Sequence, residues 1–165
     1  AAGDGRVAVA HAKRFAPDAA LRGAIVCSEV HGAYGWLHDH PLARMIAVAK
    51  MLTVVEEIRH DYARMRMAYR PELNQPAGVV HGGAIASLID TVVVPALMSG
   101  YDVPHRLLTI DLQVQYIGAV IEEDAVAEGW IVKRGRSTVF CRAEVRTVKS
   151  GLVAAGTLVY KVSKA

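Results

Sequence analysis

The sequence predicts one α+β domain in which a curved antiparallel sheet wraps around a single long helix. Its 165 residues, 53% of them hydrophobic, suit one compact core. Residues 84–98 form an apolar segment of helical character. Segments of alternating polarity follow it, separated by hairpin turns at Gly135 and at residues 149–151.

The domain is expected to occupy residues 40–165. Residues 1–39 show no sustained helical or strand period, so they are interpreted as an N-terminal extension, loosely ordered or partly helical. His31, His38 and His40 lack Cys or Glu partners at metal-ligand spacing and are interpreted as solvated loop residues. No metal or redox cofactor is therefore expected.

The first predicted elements are a short helix and two strands. Pro41 supplies a favourable first helical position, and apolar residues recur at helical spacing from there to Lys50. Strands are predicted at residues 52–58 and 62–69, and the alternation in the second indicates an antiparallel pair.

The long helix and four further strands complete the prediction. A helix as apolar as residues 84–98 is expected to lie buried at the centre, with a bend at Pro95. Polar and apolar side chains alternate over residues 109–116, which predicts one buried face and assigns Thr109 to the polar face. The remaining strands are predicted at residues 125–133, 137–148 and 152–162.

Composition restricts the class of partner. The net charge is +3, the pI is near 9.0 and aromatic residues make up 6%, so the stacking residues of a nucleic-acid groove are scarce. No apolar run reaches the roughly 18 residues that a membrane-spanning helix needs. Cys27 and Cys141 have no paired spacing, which indicates packing residues in a reducing cytoplasm. An anionic small molecule is the expected partner.

Two features at the long helix indicate chemistry. Asp90 lies among apolar residues, where an unpaired carboxylate costs several kcal/mol to desolvate, so it is a candidate catalytic acid or base. The alternative is a carboxylate satisfied by water or by a hydroxyl such as Thr91. The helix is preceded by His81-Gly82-Gly83, whose N–H groups and helix dipole favour a developing oxyanion. The alternative is a His81 cap followed by a tight glycine turn.

Both features belong to one motif, Gln-Pro-Ala-Gly-Val-Val-His-Gly-Gly-Ala-Ile-Ala-Ser-Leu-Ile-Asp, over residues 75–90. It combines an amide six residues before the histidine, the His-Gly-Gly itself and an acid nine residues after the histidine. The motif resembles the signature of hotdog-fold thioesterases of the phenylacetate-pathway (PaaI-like) branch. The resemblance extends from about residue 40 to residue 162, and it implies the hotdog fold and hydrolysis of an acyl-CoA thioester.

The resemblance also implies roles for individual residues. Asp90 would be the general base or nucleophile, and the Gly82 N–H would polarise the thioester carbonyl. Gln75 and His81 would orient substrate or water. The family position that often carries a hydroxyl falls at Thr109, for which an ordinary strand threonine is the alternative.

Further residues are predicted to contact the substrate. Asn74 immediately precedes Gln75, and a shift of the loop would exchange their roles. Gly83 follows the glycine that would polarise the carbonyl.

A basic cluster lies at the predicted hairpin tip around Gly135. Lys133, Arg134 and Arg136, with Ser137 beside them, are predicted to meet the phosphates of CoA. The alternative is a solvated turn.

These inferences together predict an acyl-CoA thioesterase whose CoA is part of the substrate. The alternatives are a hotdog hydratase or dehydratase and a non-catalytic acyl-CoA-binding module. Nine helical residues would separate His81 from Asp90 by about 13 Å, on opposite sides of the helix. We therefore expect a homodimer with composite sites, or a dimer of dimers.

Overall fold

The computed structural model describes residues 53–103 and 105–164. The predicted extension, the short helix at residues 41–50 and Cys27 lie outside the described residues, so the division at residue 40 stays a prediction. No helix in the described part of the chain is long and apolar enough to cross a membrane.

The described elements follow the predicted order. They are β1 (Thr53–Arg59), β2 (Tyr62–Met67), a 3-10 turn (Pro71–Leu73), α1 (Gly82–Met98), β3 (His105–Tyr116), β4 (Ala125–Arg134), β5 (Thr138–Thr147) and β6 (Gly151–Lys164). The largest difference from the predicted bounds is at the start of β3, which begins at residue 105 instead of 109.

The six strands form one antiparallel sheet in the order β1-β2-β4-β5-β6-β3. One face of the sheet packs against α1, and glycines on β4 and β6 allow this close approach. A Cβ at Gly156 would lie 2.7 Å from Ile89 Cγ2, and one at Gly129 would lie 3.0 Å from Val92 Cγ1. The predicted α+β architecture, a sheet around one long helix, is confirmed.

The long helix is buried on one side. Its buried residues recur at helical spacing and are Ala84, Ile85, Leu88, Ile89, Val92, Val93, Ala96 and Leu97. The other side is only partly covered, since Ala86, Asp90 and Val94 are half-buried and Thr91 is exposed. The predicted burial of this helix is therefore one-sided among the described residues, because the sheet covers only one of its faces. The helix continues through Pro95 to Met98.

A β-bulge in β3 changes which side chains face the helix. The register with β6 shifts by one residue between Thr109 and Asp111, which makes Ile110 an extra residue. Odd-numbered side chains face α1 before the bulge and even-numbered ones do so after it. The assignment of Thr109 to the polar face was wrong because regular alternation holds only when no residue is inserted.

Strand β3 forms an edge of the sheet, and none of the described residues pairs with its outer side. Several of its apolar side chains are exposed: Leu108 by 64%, Ile110 by 55% and Leu112 by 38%. The predicted buried face of residues 109–116 is therefore only partly covered within the described chain. An exposed apolar edge of this kind is typical of a surface that pairs with another strand.

Candidate active site

Asp90 lies halfway along α1, at a position that reaches both β3 and β6. Thr109 donates its hydroxyl to Asp90 Oδ1 at 3.0 Å, and Tyr160 donates to the same oxygen at 2.6 Å. Oδ2 accepts no hydrogen bond from the described residues. Thr91, the alternative partner, donates instead to the carbonyl oxygen of Ser87. Two hydroxyls from neighbouring strands thus hold one oxygen of the carboxylate.

Tyr160 was missing from the predicted site. It is 2% exposed, and burial, with the hydrogen bond to Asp90, raises the pKa of its hydroxyl well above the usual range. The hydroxyl therefore remains protonated and acts as a donor. The sequence does contain a signal for it. Every second residue from Ala154 to Val162 lies on the buried face of the strand, and Tyr160 is the one among them that carries a polar group.

The N-terminus of α1 presents the Gly82 N–H. His81 is the N-cap residue, and its Nδ1 accepts a hydrogen bond from the Gly83 N–H at 2.8 Å. Among the described residues the Gly82 N–H has no acceptor. The Gly82 carbonyl accepts a hydrogen bond from the Tyr116 hydroxyl at 2.9 Å. A helix that begins in this way offers an N–H donor at the positive end of its dipole.

A cleft of about 280 Å³ opens beside Gly82, with Gln75 and Tyr116 on its wall. Gln75 is exposed, and its main chain is fixed by hydrogen bonds within the turn. Asn74 differs, because its Nδ2 donates to the Tyr69 hydroxyl at 3.0 Å. Of the two neighbouring amides, Gln75 lines the cleft while Asn74 is turned toward Tyr69.

The carboxylate and the helix N-terminus lie apart within one chain. Eight helical residues separate Gly82 from Asp90, which corresponds to about 12 Å along the axis. They also contact different parts of β3, since Asp90 meets Thr109 near its middle and Gly82 meets Tyr116 at its C-terminal end. The described chain therefore does not bring the candidate carboxylate and the candidate N–H donor together.

Arg134 is engaged within the chain. Its Nε donates to Asp61 Oδ1 at 2.8 Å, and Nη2 donates to the Leu97 carbonyl oxygen at 2.9 Å. The guanidinium also lies 4.7 Å from the centre of the Tyr101 ring. Arg134 thus closes the C-terminal end of α1, where carbonyl groups need donors.

The other residues of the hairpin tip are more open. Lys133 and Arg136 are exposed, and Ser137 is half-buried, with its Oγ accepting a hydrogen bond from Lys161 Nζ at 3.3 Å. Contact of this tip with CoA phosphates stays a prediction, for which Lys133 and Arg136 supply the accessible charges.

Comparison with known proteins identifies the family. A family model described as the thioesterase superfamily matches residues 77–154. A protein of Archaeoglobus fulgidus named "putative esterase" is 33% identical over 110 residues, which are 66% of this chain and 70% of that protein. An acyl-CoA dehydrogenase of Bacillus subtilis is 38% identical over 45 residues. This match covers 27% of this chain and only 12% of that protein. The chain belongs to the thioesterase superfamily.

Solved structures share the fold at lower identity. A thioesterase from Haemophilus influenzae has a TM-score of 0.66 and 20% identity, over 72% of this chain and 82% of that one. The PaaI protein of the phenylacetic acid degradation operon of E. coli has a TM-score of 0.63 and 15% identity, over 68% and 80%. Both likenesses agree with the hotdog fold that the motif predicted.

Proposed function

We propose that this protein is an acyl-CoA thioesterase of the PaaI-like branch, which hydrolyses a CoA thioester to the free acid and CoA. The observation that carries the proposal is the Asp90 carboxylate. It occupies the acid position of the thioesterase motif and is held on one oxygen by the hydroxyls of Thr109 and Tyr160. Such a carboxylate, with its second oxygen open, has the chemistry that hydrolysis requires.

The reaction would proceed through attack on the thioester carbonyl. Asp90 either takes a proton from water, whose oxygen bonds to the carbonyl carbon, or attacks that carbon itself and is then released by water. The Gly82 N–H would stabilise the resulting oxyanion. The C–S bond then breaks, and CoA leaves as a thiolate that takes up a proton. Transfer of labelled water oxygen in a single turnover separates the two routes.

A thiol-release assay over short, aryl and long acyl-CoA substrates tests the proposal. Asp90→Asn preserves the side-chain volume and removes the base, so we expect hydrolysis to fall by about 10²- to 10⁴-fold. Asp102→Asn, at an exposed loop aspartate, is the matched control and should turn over normally. Near-normal hydrolysis by Asp90→Asn would refute the proposal. Tight acyl-CoA binding without hydrolysis would indicate a binding module, and water addition to an enoyl-CoA would indicate a hydratase.

We also propose that two chains form each active site. Asp90 contacts β3 at Thr109 and Gly82 contacts it at Tyr116, so the midpoint between them falls at residues 112–113. Antiparallel pairing of two β3 edges about this midpoint would set Thr109 of one copy opposite Tyr116 of the other. Asp90 of one chain would then approach Gly82 of the second. The exposed apolar side chains of the β3 edge support this pairing.

Complementation tests the composite site. Asp90→Asn and Gly82→Pro would each be inactive as homodimers, but a heterodimer would contain one intact site. Because half of the dimers in an equal mixture are heterodimers, about a quarter of wild-type activity should return. A mixture that stays inactive after subunit exchange would refute the shared site, as would a fully active monomer in sedimentation.

The CoA part of the proposal concerns the exposed charges at the hairpin tip. The double variant Lys133→Ala, Arg136→Ala should raise KM for acyl-CoA with little change in kcat. Phosphate contacts remote from the carbonyl stabilise the bound substrate and the transition state equally. The effect should weaken with salt. A pantetheine thioester lacks those phosphates and should be indifferent to the change. Equal losses with both substrates would assign the cluster to folding instead.

A further inference from the structure

We infer that Tyr160 is a positioning residue for Asp90: together with Thr109 it fixes Oδ1 and thereby aims Oδ2 at the reacting carbonyl or water. The inference rests on the proposed thioesterase function. It adds a residue from β6, outside the motif at residues 75–90, to the catalytic arrangement.

The two hydroxyls converge from adjacent strands. Thr109 on β3 and Tyr160 on β6 are register partners, and both donate to the same oxygen of Asp90. A carboxylate bonded only once can swing about its side-chain torsions, whereas two donors on one oxygen define where the other oxygen lies. The β-bulge at Ile110 directly follows this pair. Because the bulge inserts one residue, Thr109 faces the helix although the even-numbered residues do so after it.

Tyr160 is itself held firmly. Its main chain pairs on both sides, with Thr109 on β3 and with Val139 on β5, and its side chain is buried. The same O–H lies 2.9 Å from the main-chain carbonyl oxygen of Asp90, so both acceptors within its reach belong to Asp90. The hydroxyl therefore has a fixed direction toward Asp90, as a positioning group requires.

Kinetics distinguish positioning from a purely structural hydrogen bond. Tyr160→Phe keeps the ring in its buried site and removes the hydroxyl alone. A misplacement of about 1 Å can cost about 100-fold in rate, so we expect kcat to fall roughly 10- to 100-fold while KM stays within about twofold. A structural role would lower the unfolding midpoint and leave kcat intact.

Tyr62→Phe is the matched control. The Tyr62 hydroxyl also donates to a carboxylate at 2.6 Å, that of Glu128, at a place away from the predicted site. This variant loses the same kind of hydrogen bond. Because that bond lies away from the predicted site, Tyr62→Phe should retain wild-type kcat and KM. A fall in kcat of similar size in both variants would overturn the inference, because the effect would then be a general loss of structure.

A double-mutant cycle completes the test. In the Asp90→Asn background, Tyr160→Phe should cause little further loss, since the group that it positions is already gone. Multiplicative losses, or wild-type kcat in Tyr160→Phe, would overturn the inference while leaving the role of Asp90 intact. An active Asp90→Asn would instead refute the proposed function. Should Tyr160→Phe fail to fold, Thr109→Val removes the other hydroxyl that donates to Oδ1. An unchanged kcat in Thr109→Val would overturn the inference that these two hydroxyls position Asp90.

Discussion

Gly82→Pro removes one N–H group and tests whether that group stabilises the oxyanion. Gly82 is the first residue of α1, a position where proline is tolerated because the N–H makes no intrahelical bond. The residue before a proline prefers extended backbone, and His81 already has φ −60° and ψ 133°. The helix should therefore form normally in this variant.

The expected loss follows from the chemistry of the donor. Removal of one oxyanion-hole donor costs about 10²- to 10³-fold in kcat, or about 3–4 kcal/mol of transition-state stabilisation. Steric effects need a separate control, because a Cβ at Gly82 would lie 3.2 Å from the ring of Tyr116. Gly82→Ala adds this Cβ and keeps the N–H. Since Tyr116 is 54% exposed and can move, we expect Gly82→Ala to lose about threefold or less, roughly 0.6 kcal/mol.

The assay is thiol release from the best acyl-CoA substrate, with kcat and KM determined for the wild type and both variants. Circular dichroism and sedimentation verify that the helix and the oligomeric state are retained. The prediction is a large fall in kcat for Gly82→Pro and a small one for Gly82→Ala. If both variants fall equally, the contact with Tyr116 is responsible and the N–H is not the donor. A Gly82→Pro enzyme of normal kcat would refute the assignment outright.

Three further predictions concern stability, and urea unfolding measures each of them. Arg134→Ala breaks the partly buried pair with Asp61 and should lower the free energy of unfolding by about 2 kcal/mol; a change below about 0.5 kcal/mol would contradict this. Gly156→Ala forces a Cβ against Ile89 and should cost about 1–3 kcal/mol; a neutral result would show that the helix can shift. Burial raises the pKa of the Cys141 thiol from 9.0 to about 12, so the folded chain keeps a proton that the unfolded chain loses. Stability should therefore fall as pH rises above about 9, and Cys141→Ala should flatten that fall.

Local patterns explain why so much of the fold could be predicted. Alternation over a few residues identified the strands, and the apolar run at residues 84–98 predicted all but the first residues of the helix Gly82–Met98. The candidate site residues Asp90 and Gly82 could also be singled out from the sequence, because a charge among apolar residues and a glycine at a helix start are local features. Cys141 is buried, as its lack of a paired spacing predicted.

The remaining features depend on contacts between distant parts of the chain. Tyr160 reaches Asp90 because the helix packs across β6, and it lies beside Thr109 because β6 pairs with β3 in one register; alternation within one strand carries no information about either neighbour. The bulge at Ile110 was also missed. It changes which side chains of β3 face the helix, and it is visible only in the pairing of β3 with β6. Arg134 belonged to a basic cluster in sequence, but its closest partner, Asp61, is supplied by the turn between the first two strands.

The proposed dimer accounts for three features that a single chain leaves unconnected. The motif separates its acid from its N–H donor by eight residues, about 12 Å of helix, although one thioester carbonyl would meet both in the proposed reaction. Strand β3 exposes apolar side chains at an edge that the described residues leave unpaired. The partly covered side of α1 carries Asp90, which contacts this same strand at Thr109. A two-fold axis near residues 112–113 would cover the edge and bring the acid of one chain to the donor of the other. The spacing in the motif therefore suits the proposed site, in which two antiparallel copies each supply one of the two groups.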